Sequence, residues 1–215
     1  MMRHRTMMQR FTIIAAAMLC LVCLTAFSAP AAASEARDAL ENTINQVLTE
    51  LKKPAMRDPA GRPAVLANIE KIIKQLFSFD ELSMRTVGPK WKSFSPEQKT
   101  QFRTAFEGLL RTRYLNSMDG YDGEKITYTG ETASTKGDKV EIQTVVESEG
   151  KAVPVAYRML KADRWLVYDV IIEGVSLVQN YRSQFQSILD KDDVDTLIRM
   201  IRQKTEELAA GKSGS

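Results

Sequence analysis

The stretch from Trp165 to Phe185, WLVYDVIIEGVSLVQNYRSQF, most constrains the fold because an apolar strand runs directly into a helix. Residues 165–172 are rich in aromatic and β-branched side chains, which suit a buried strand. Gly174 interrupts this run, and Ser176 with Gln179 has the spacing of a helix N-terminal capping box. We therefore predict that a helix follows at once and packs its apolar face on the adjoining strand.

Residues 1–33 have the features of a cleaved secretory signal peptide. Three arginines precede an uncharged apolar segment, Phe11 to Phe27, and a run of alanines offers the small residues of a cleavage site. An uncleaved anchor is an alternative, whereas a lipoprotein is disfavoured because Leu19 and Val22, which are not small, precede the two cysteines. We expect the mature protein to begin near Ser34, without membrane attachment.

Removing this segment changes the composition of the chain. Both cysteines, the single histidine and three of the 30 Lys and Arg residues lie within it, which leaves 27 basic and 27 acidic side chains. Without Cys or His, the remainder has no disulfide, no thiolate or imidazole zinc site and no His-activated nucleophile. Its balanced charge argues against nucleic-acid binding. We expect a single domain, residues 34–210, held together by its hydrophobic core.

Apolar residues recur every three or four positions in six segments, and each segment is predicted to be a helix. These segments are residues 35–52, 64–77, 78–87, 96–118, 177–189 and 193–209. Residues 53–63 contain three prolines and a glycine, which is typical of a loop, and no role is assigned to it. Residues 211–215 are predicted to be a disordered tail.

The period changes to two after the fourth helix, which predicts strands. The candidates are residues 125–130, 139–147, 152–161 and 164–172. Short turns join them, so we expect an antiparallel meander. In the last strand we expect one set of alternate side chains to face inward because the other set includes Asp169. The inward set is Leu166, Tyr168, Val170 and Ile172. The chain is therefore predicted to be an α+β domain with its helices on one face of a four-stranded sheet.

Few residues are candidates for chemistry. Asp169 and Glu173 would lie on one strand face about 13 Å apart, too far to share a proton. A carboxylate-dependent enzyme stays possible, but the simpler interpretation pairs Asp169 with a cation and Glu173 with local amides. Five tyrosines, at 114, 128, 157, 168 and 181, suit either a wet cleft or a core. The large apolar side chains are numerous enough that some could line a cavity instead of filling a core.

Three segments carry a resemblance to a known family. They are DVIIEGVSLVQNYRSQFQSIL, WKSFSPEQKTQFRTAFEGLLRTRYLNSM and AYRMLKADRWLVYDV. They resemble the MlaC family of periplasmic phospholipid-transport proteins, also called the toluene-tolerance Ttg2 or ABC-transporter auxiliary family. The resemblance covers residues 35–208, in the same order, and the run from Asp169 to Phe185 is long and unusual. The loop at 53–63 matches no pattern of the family.

The resemblance implies a cone-like, NTF2-like sheet covered on one face by about six helices, with phospholipid acyl chains held between them. It implies a periplasmic carrier that moves lipid between two membrane complexes. These are an outer-membrane lipoprotein-porin complex and an inner-membrane ABC transporter with an MCE-domain ring. The implied role is to maintain the lipid asymmetry of the outer membrane. It brings no metal, no cofactor and no catalytic residue. We expect a monomer whose cargo is phospholipid.

The side chains that we expect to contact lipid combine this resemblance with the apolar pattern. They are Phe102, Phe106, Leu110, Tyr114, Ile142, Tyr157, Met159, Tyr168, Val170, Val175 and Leu177. Each is alternatively an ordinary core residue. Two other functions stay open at this point: a small carboxylate-dependent enzyme that uses Asp169 and Glu173, and a non-catalytic adaptor that bridges envelope complexes.

Overall fold

The structure is a computed structural model, and it describes residues 31–115, 118, 121, 123–148 and 150–211. The chain divides into two units, residues 1–31 and 32–215, and the elements below belong to the second except for the first residue of helix α1. The predicted signal peptide and C-terminal tail fall almost entirely outside the described residues.

Six α-helices are present in the described part of the chain, and their positions follow the predicted segments. They are α1 (Ala31–Leu51), α2 (Arg62–Leu76), α3 (Phe79–Val87), α4 (Pro96–Leu115), α5 (Leu177–Leu189) and α6 (Val194–Ala209). Short 3₁₀ helices at Pro54–Met56 and Gly88–Ser93 lie in the connections. None of the described helices combines the length and the apolar character needed to cross a bilayer.

Serine residues cap three of these helices, and one of them is the predicted Ser176. Ser95 and Gln98 form the full reciprocal box of α4, with two hydrogen bonds of 3.1 Å between backbone amides and side chains. Ser78 accepts from the Glu81 amide at the start of α3. Ser176 does the same for α5. Because each cap satisfies an amide that the helix itself leaves unpaired, the helix boundaries were readable from sequence.

The strands form one antiparallel sheet. They are β1 (Lys125–Ala133), β2 (Lys139–Ser148), β3 (Lys151–Lys161), β4 (Trp165–Ile172) and β5 (Val175–Ser176), in that spatial order. The α+β class and the antiparallel meander are confirmed, and the two-residue β5 adds a fifth strand to the predicted four. It pairs with the end of β4 immediately before α5 begins.

A β-bulge in β4 changes which of its side chains face inward. Arg158 pairs with Asp169 but Met159 pairs with Val167, so Tyr168 is an extra residue in the ladder. The inner face therefore changes from the odd to the even positions at this point, since side chains alternate on either side of the bulge. The predicted inward set is right for Val170 and Ile172 and wrong for Leu166 and Tyr168, because alternation alone cannot reveal an extra residue.

Buried apolar side chains form three clusters. The first joins α3, α4, α5 and α6, where Phe106 packs edge-on against Tyr181 and Phe185 with ring centroids 5.0 and 5.4 Å apart. In the second, Leu40 of α1 packs with Ile142 on the inner face of the sheet. The third joins α1, α2 and α4. Between these clusters the side chains do not fill all of the space, as described below.

Asp169 fixes the joint between β4 and α5. Its carboxylate accepts hydrogen bonds from the Val178 amide at 3.0 Å and from the Ser176 hydroxyl at 2.7 Å, and Ser176 in turn accepts from the Gln179 amide at 3.1 Å. Arg158 lies 3.3 Å from the same carboxylate. A buried carboxylate thus reinforces the serine cap, in agreement with the expectation that Asp169 pairs with a nearby cation.

Candidate functional site

An apolar cavity of about 360 Å³ lies between the inner face of the sheet and helices α2, α4 and α5. Its apolar lining comes from all of these elements, from the first residue of α3 and from the links that follow α2 and α4. These side chains are Ile73, Phe77, Phe79, Leu110, Tyr114, Leu115, Met118, Val155, Tyr157, Val170, Ile172 and Leu177. The volume is within the range of pockets that bury small ligands, about 300–1,000 Å³.

The cavity is partly enclosed by buried side chains and partly open to solvent. Leu110, Leu115 and Val155 are buried, each at most 9% exposed, and they form the inner wall. Tyr114 and Ile172 are 36% and 39% exposed, so they stand at the opening. Among the described residues, the lining therefore continues to solvent as an apolar edge beside Tyr114 and Ile172.

Burial keeps the one phenol on the sheet side of the cavity in its neutral form. Tyr157 lies in the middle of β3, between Ile142 and Val170 on the neighbouring strands. Removal from water raises the pKa of Tyr157 to about 12, because the phenolate would lose its hydration. Tyr157 therefore adds a largely apolar ring and no charge to the wall at physiological pH.

Partly exposed charged side chains also line the cavity, and their ion pairs join α2 to α4. Lys74 Nζ lies 2.8 Å from Glu70 Oε1 and 2.7 Å from Glu107 Oε1. Arg111 Nη1 lies 3.9 Å from Glu70 Oε2. The hydrogen bonds to Glu107 and then to Glu70 raise the pKa of Lys74, so the ammonium stays charged. Two cations and two carboxylates thus form a neutral rim beside the apolar walls.

Five of the eleven side chains predicted to contact lipid lie together at this cavity. They are Leu110, Tyr114, Tyr157, Val170 and Leu177. Helical spacing places the first two on one side of α4, and the strand pairing places Tyr157 beside Val170. Leu177 is the first residue of α5, directly after β5 pairs with the end of β4. That these residues hold lipid stays a prediction, although the structure brings them around one space.

The structure places the other six away from the cavity. Phe102 and Phe106 are fully buried among α4, α5 and α6, and Ile142 and Met159 are fully buried in the cluster that α1 helps to form. The bulge turns Tyr168 outward, where the Arg85 guanidinium lies 4.2 Å from its ring centroid. Val175 is 61% exposed in β5. Apolar periodicity identifies buried faces, but it does not separate a packed core from a cavity wall.

Several lining residues were missed from the sequence. Ile172 was already in the inward set of its strand. Val155 lies two positions from Tyr157 on β3, so the same alternation could have identified it. Phe77 and Phe79 flank the serine cap of α3, where aromatic residues on both sides of a break indicate a packing corner.

The four-residue spacing of Glu70 and Lys74 indicates a pair within α2. The contact of Lys74 with Glu107 on α4 gave no such signal, because these residues are distant in the chain.

Other concave surfaces have linings in which polar and apolar side chains are mixed. A groove of about 530 Å³ between α4, α5 and α6 includes Arg113, Lys204 and Glu207, with Lys204 and Glu207 3.3 Å apart. Another, of about 480 Å³, lies beside Arg57 and Tyr121. The cavity beside the sheet is smaller than both, but its walls are more nearly continuous and apolar than theirs, so we take it as the candidate site.

The described part of the chain offers no metal-binding cluster. It contains no group of three His, Cys, Asp or Glu side chains positioned to hold a metal ion. Asp169, one of the two carboxylates considered for catalysis, is fully engaged in the β4–α5 joint. The arrangement is suited to holding an apolar ligand.

Comparison with known proteins agrees with this geometry. The model of the family described as "MlaC protein" matches residues 41–203, which is most of the chain. The chain belongs to the MlaC family. The resemblance recognised in the sequence is thereby confirmed, and the α+β fold of this MlaC family member has counterparts among solved structures.

Two curated relatives of this MlaC family member are informative. It is 27% identical over 128 residues to the intermembrane phospholipid transport system binding protein MlaC of Haemophilus influenzae, covering 57% of this chain and 60% of that protein. The match therefore spans less than two thirds of that relative's length. It is 25% identical over 179 residues to the toluene tolerance protein ttg2D of Pseudomonas putida, covering 81% and 83% of the two chains.

One solved structure shows the same MlaC-type fold. It is described as the phospholipid-binding protein from Ralstonia solanacearum in complex with a phospholipid. The superposition has a TM-score of 0.72 at 24% identity and covers 81% of this chain and 99% of that one. At this level of identity the comparison establishes the fold.

Proposed function

We propose that this chain is a phospholipid carrier of the periplasm whose cavity between sheet and helices holds acyl chain. The observation that carries the proposal is the apolar cavity of about 360 Å³, closed by Leu110, Leu115 and Val155 and open beside Ile172. No step of bond making or breaking is required of it. Such a container needs apolar walls and an opening through which the polar headgroup stays in contact with water.

The free energy of lipid transfer explains why a container is needed. An acyl chain gains about 0.8 kcal/mol for each methylene that leaves water, so a sixteen-carbon chain in water is unfavourable by roughly 13 kcal/mol. Diffusion of free lipid across an aqueous compartment is therefore very slow. A protein that encloses the chain removes most of this barrier without using any reactive group.

The family and its named members support the choice of cargo. The Haemophilus relative is named for intermembrane phospholipid transport, and the Ralstonia protein with the same fold was solved with a phospholipid. The apolar lining of this chain suits the same cargo. The N-terminal 33 residues, with the pattern of a signal peptide, support export to the periplasm.

Membership of the family supports a proposal for the wider pathway. In our proposal the carrier receives lipid from one membrane complex and delivers it to the other, between an outer-membrane lipoprotein-porin complex and an inner-membrane MCE-domain ABC transporter. This exchange would maintain the lipid asymmetry of the outer membrane. The apolar edge beside Tyr114 and Ile172 supports such transfer, because it offers a lipid chain a continuous apolar path out of the cavity.

Two adjacent residues on β4 provide a matched test. Val170 faces the cavity, whereas Ile171 pairs with Ala156 on the opposite face of the sheet. We expect Val170→Trp to fill the cavity and to lower the phospholipid that co-purifies with the protein, or that it takes up from vesicles, by about tenfold. Ile171→Trp, with the same new side chain, should retain the lipid.

Mass spectrometry of lipid extracted from the purified protein provides the measurement, and circular dichroism checks that both variants fold. A wild-type protein that neither co-purifies with phospholipid nor takes it up from vesicles would refute the carrier proposal. Equal loss of lipid in two folded variants would refute the assignment of this cavity as the site.

A further inference from the structure

The charged rim of the cavity lies where the headgroup of a bound lipid would emerge. All four of its side chains line the apolar cavity, and Lys74 and Arg111 are also 44% and 54% exposed to solvent. With acyl chain inside the cavity, the polar end of the molecule would stand at this boundary between apolar wall and water. The groups of the rim are therefore the first charges that a headgroup meets.

The pairing within the rim sets which headgroups it can accept. Lys74 bridges Glu70 of its own helix and Glu107 of α4, and Arg111 lies on the far side of Glu70. Positive and negative charges alternate along this chain of contacts. A phosphate that binds one of these cations displaces the carboxylate that was paired with it. The displaced carboxylate then lies close to the negative phosphate, and this repulsion is unfavourable unless the ligand brings its own cation.

We infer that this rim selects zwitterionic phospholipid headgroups, which carry an ammonium a short distance from the phosphate, over headgroups with a net negative charge. The phosphate takes a place at Lys74 or Arg111, and the ammonium pairs with Glu70 or Glu107. The number of opposite-charge contacts is then conserved. An anionic headgroup can replace a carboxylate at a cation but leaves that carboxylate unpaired. This inference rests on the proposed carrier function.

The size of the preference follows from the exposure of the rim. Ion pairs that are partly open to solvent contribute modestly, and this corresponds to a preference of roughly two- to five-fold. The preference should decrease as salt is added, because exposed charges are screened. The acyl chains and the apolar walls supply the affinity, and the rim supplies a moderate choice between headgroups.

The test measures competition between two lipids with identical acyl chains. The protein is incubated with vesicles of phosphatidylethanolamine and phosphatidylglycerol in equal amounts, repurified, and its bound lipid is quantified by mass spectrometry. We expect wild-type protein to hold roughly two- to five-fold more phosphatidylethanolamine. In Glu70→Gln/Glu107→Gln, Lys74 and Arg111 lose their carboxylates, so the ratio should fall to about one or below.

A matched variant controls for the change in net charge. Asp80 and Asp190 pair with Arg103 and Lys90 across other elements, at 2.9 and 2.7 Å, and neither lines the cavity. Asp80→Asn/Asp190→Asn therefore removes the same charge from two inter-element ion pairs elsewhere, and it should keep the wild-type ratio.

The outcomes separate this inference from the carrier function. Selection by the rim is overturned if the wild type takes up both lipids equally. It is also overturned if the ratio of bound phosphatidylethanolamine to phosphatidylglycerol shifts equally in both double variants. Either result leaves the carrier proposal intact. Wild-type protein that takes up neither lipid overturns both. If Glu70→Gln/Glu107→Gln fails to fold, Lys74→Gln/Arg111→Gln replaces it. The ratio of bound phosphatidylethanolamine to phosphatidylglycerol should then rise above the wild-type value, and a ratio that does not rise overturns the inference.

Discussion

Replacement of Asp169 tests whether the β4–α5 joint depends on one buried carboxylate. Asp169 is 3% exposed and accepts hydrogen bonds from the Val178 amide and the Ser176 hydroxyl. Asp169→Ala leaves the Val178 amide buried without this acceptor. Arg158 loses one partner but keeps Glu141 at 2.9 Å, so the ion pair adds little to the loss.

The magnitude follows from these contacts. Hydrogen bonds to a charged acceptor contribute about 1.5–3 kcal/mol each, and a buried donor left unsatisfied costs about 1–3 kcal/mol. Because the contacts are partly shared and the joint can relax, we expect Asp169→Ala to lower the free energy of unfolding by about 3–4 kcal/mol. Asp169→Asn retains one acceptor oxygen and should cost about half as much.

Urea unfolding followed by tryptophan fluorescence measures both variants. Asp193 is a suitable control because it is an exposed cap whose side chain accepts from the Thr196 amide at the start of α6. An exposed cap of this kind contributes about 1 kcal/mol. A cost for Asp169→Ala no larger than that for Asp193→Ala would show that the buried carboxylate is not what fixes the joint.

Three further predictions concern single residues. Gly88 has a φ of 71°, and a Cβ at this position would lie 2.5 Å from Arg182 Nη2. Gly88→Ala should therefore lower the free energy of unfolding, measured from the urea midpoint, by about 1–3 kcal/mol. Glu173 has a φ of 50°, a left-handed backbone conformation that asparagine adopts at lower cost than glutamate. Glu173→Asn should therefore raise the free energy of unfolding by about 0.5–1 kcal/mol. An unchanged value would show that the backbone at this position is not strained. The raised pKa of Tyr157 contributes stability that is complete below pH 10 and is lost as the pH rises towards 12. Over this range the free energy of unfolding of the wild type should fall by on the order of 2 kcal/mol more than that of Tyr157→Phe. Parallel pH profiles of the two proteins would exclude this contribution.

Local chemistry explains why much of the fold was readable from sequence. The helix predicted at 177–189 is observed as Leu177–Leu189, because a serine cap and a helical apolar period are both local signals. The strands likewise follow from alternation and from the short turns between them. These features depend on residues a few positions apart, so distant parts of the chain do not alter them.

The site was only half predictable for a related reason. Periodicity placed Leu110 and Tyr157 correctly on inward faces, but it placed Phe102 and Ile142 on inward faces as well. Whether an inward face meets another side chain or empty space depends on how far apart two elements stand. That spacing is a property of the assembled helices and sheet, and no single segment encodes it.

The sequence by itself determined the α+β class, the order and approximate bounds of the elements, and the family to which the chain belongs. Only the tertiary structure decided that Tyr168 is a bulge residue, that α2 and α4 stand apart over the sheet, and that Lys74 and Glu107 meet across the gap. The physical reason is the range of the forces involved. Capping and periodicity act within one or two turns, whereas a cavity and its charged rim arise where residues distant in the chain meet.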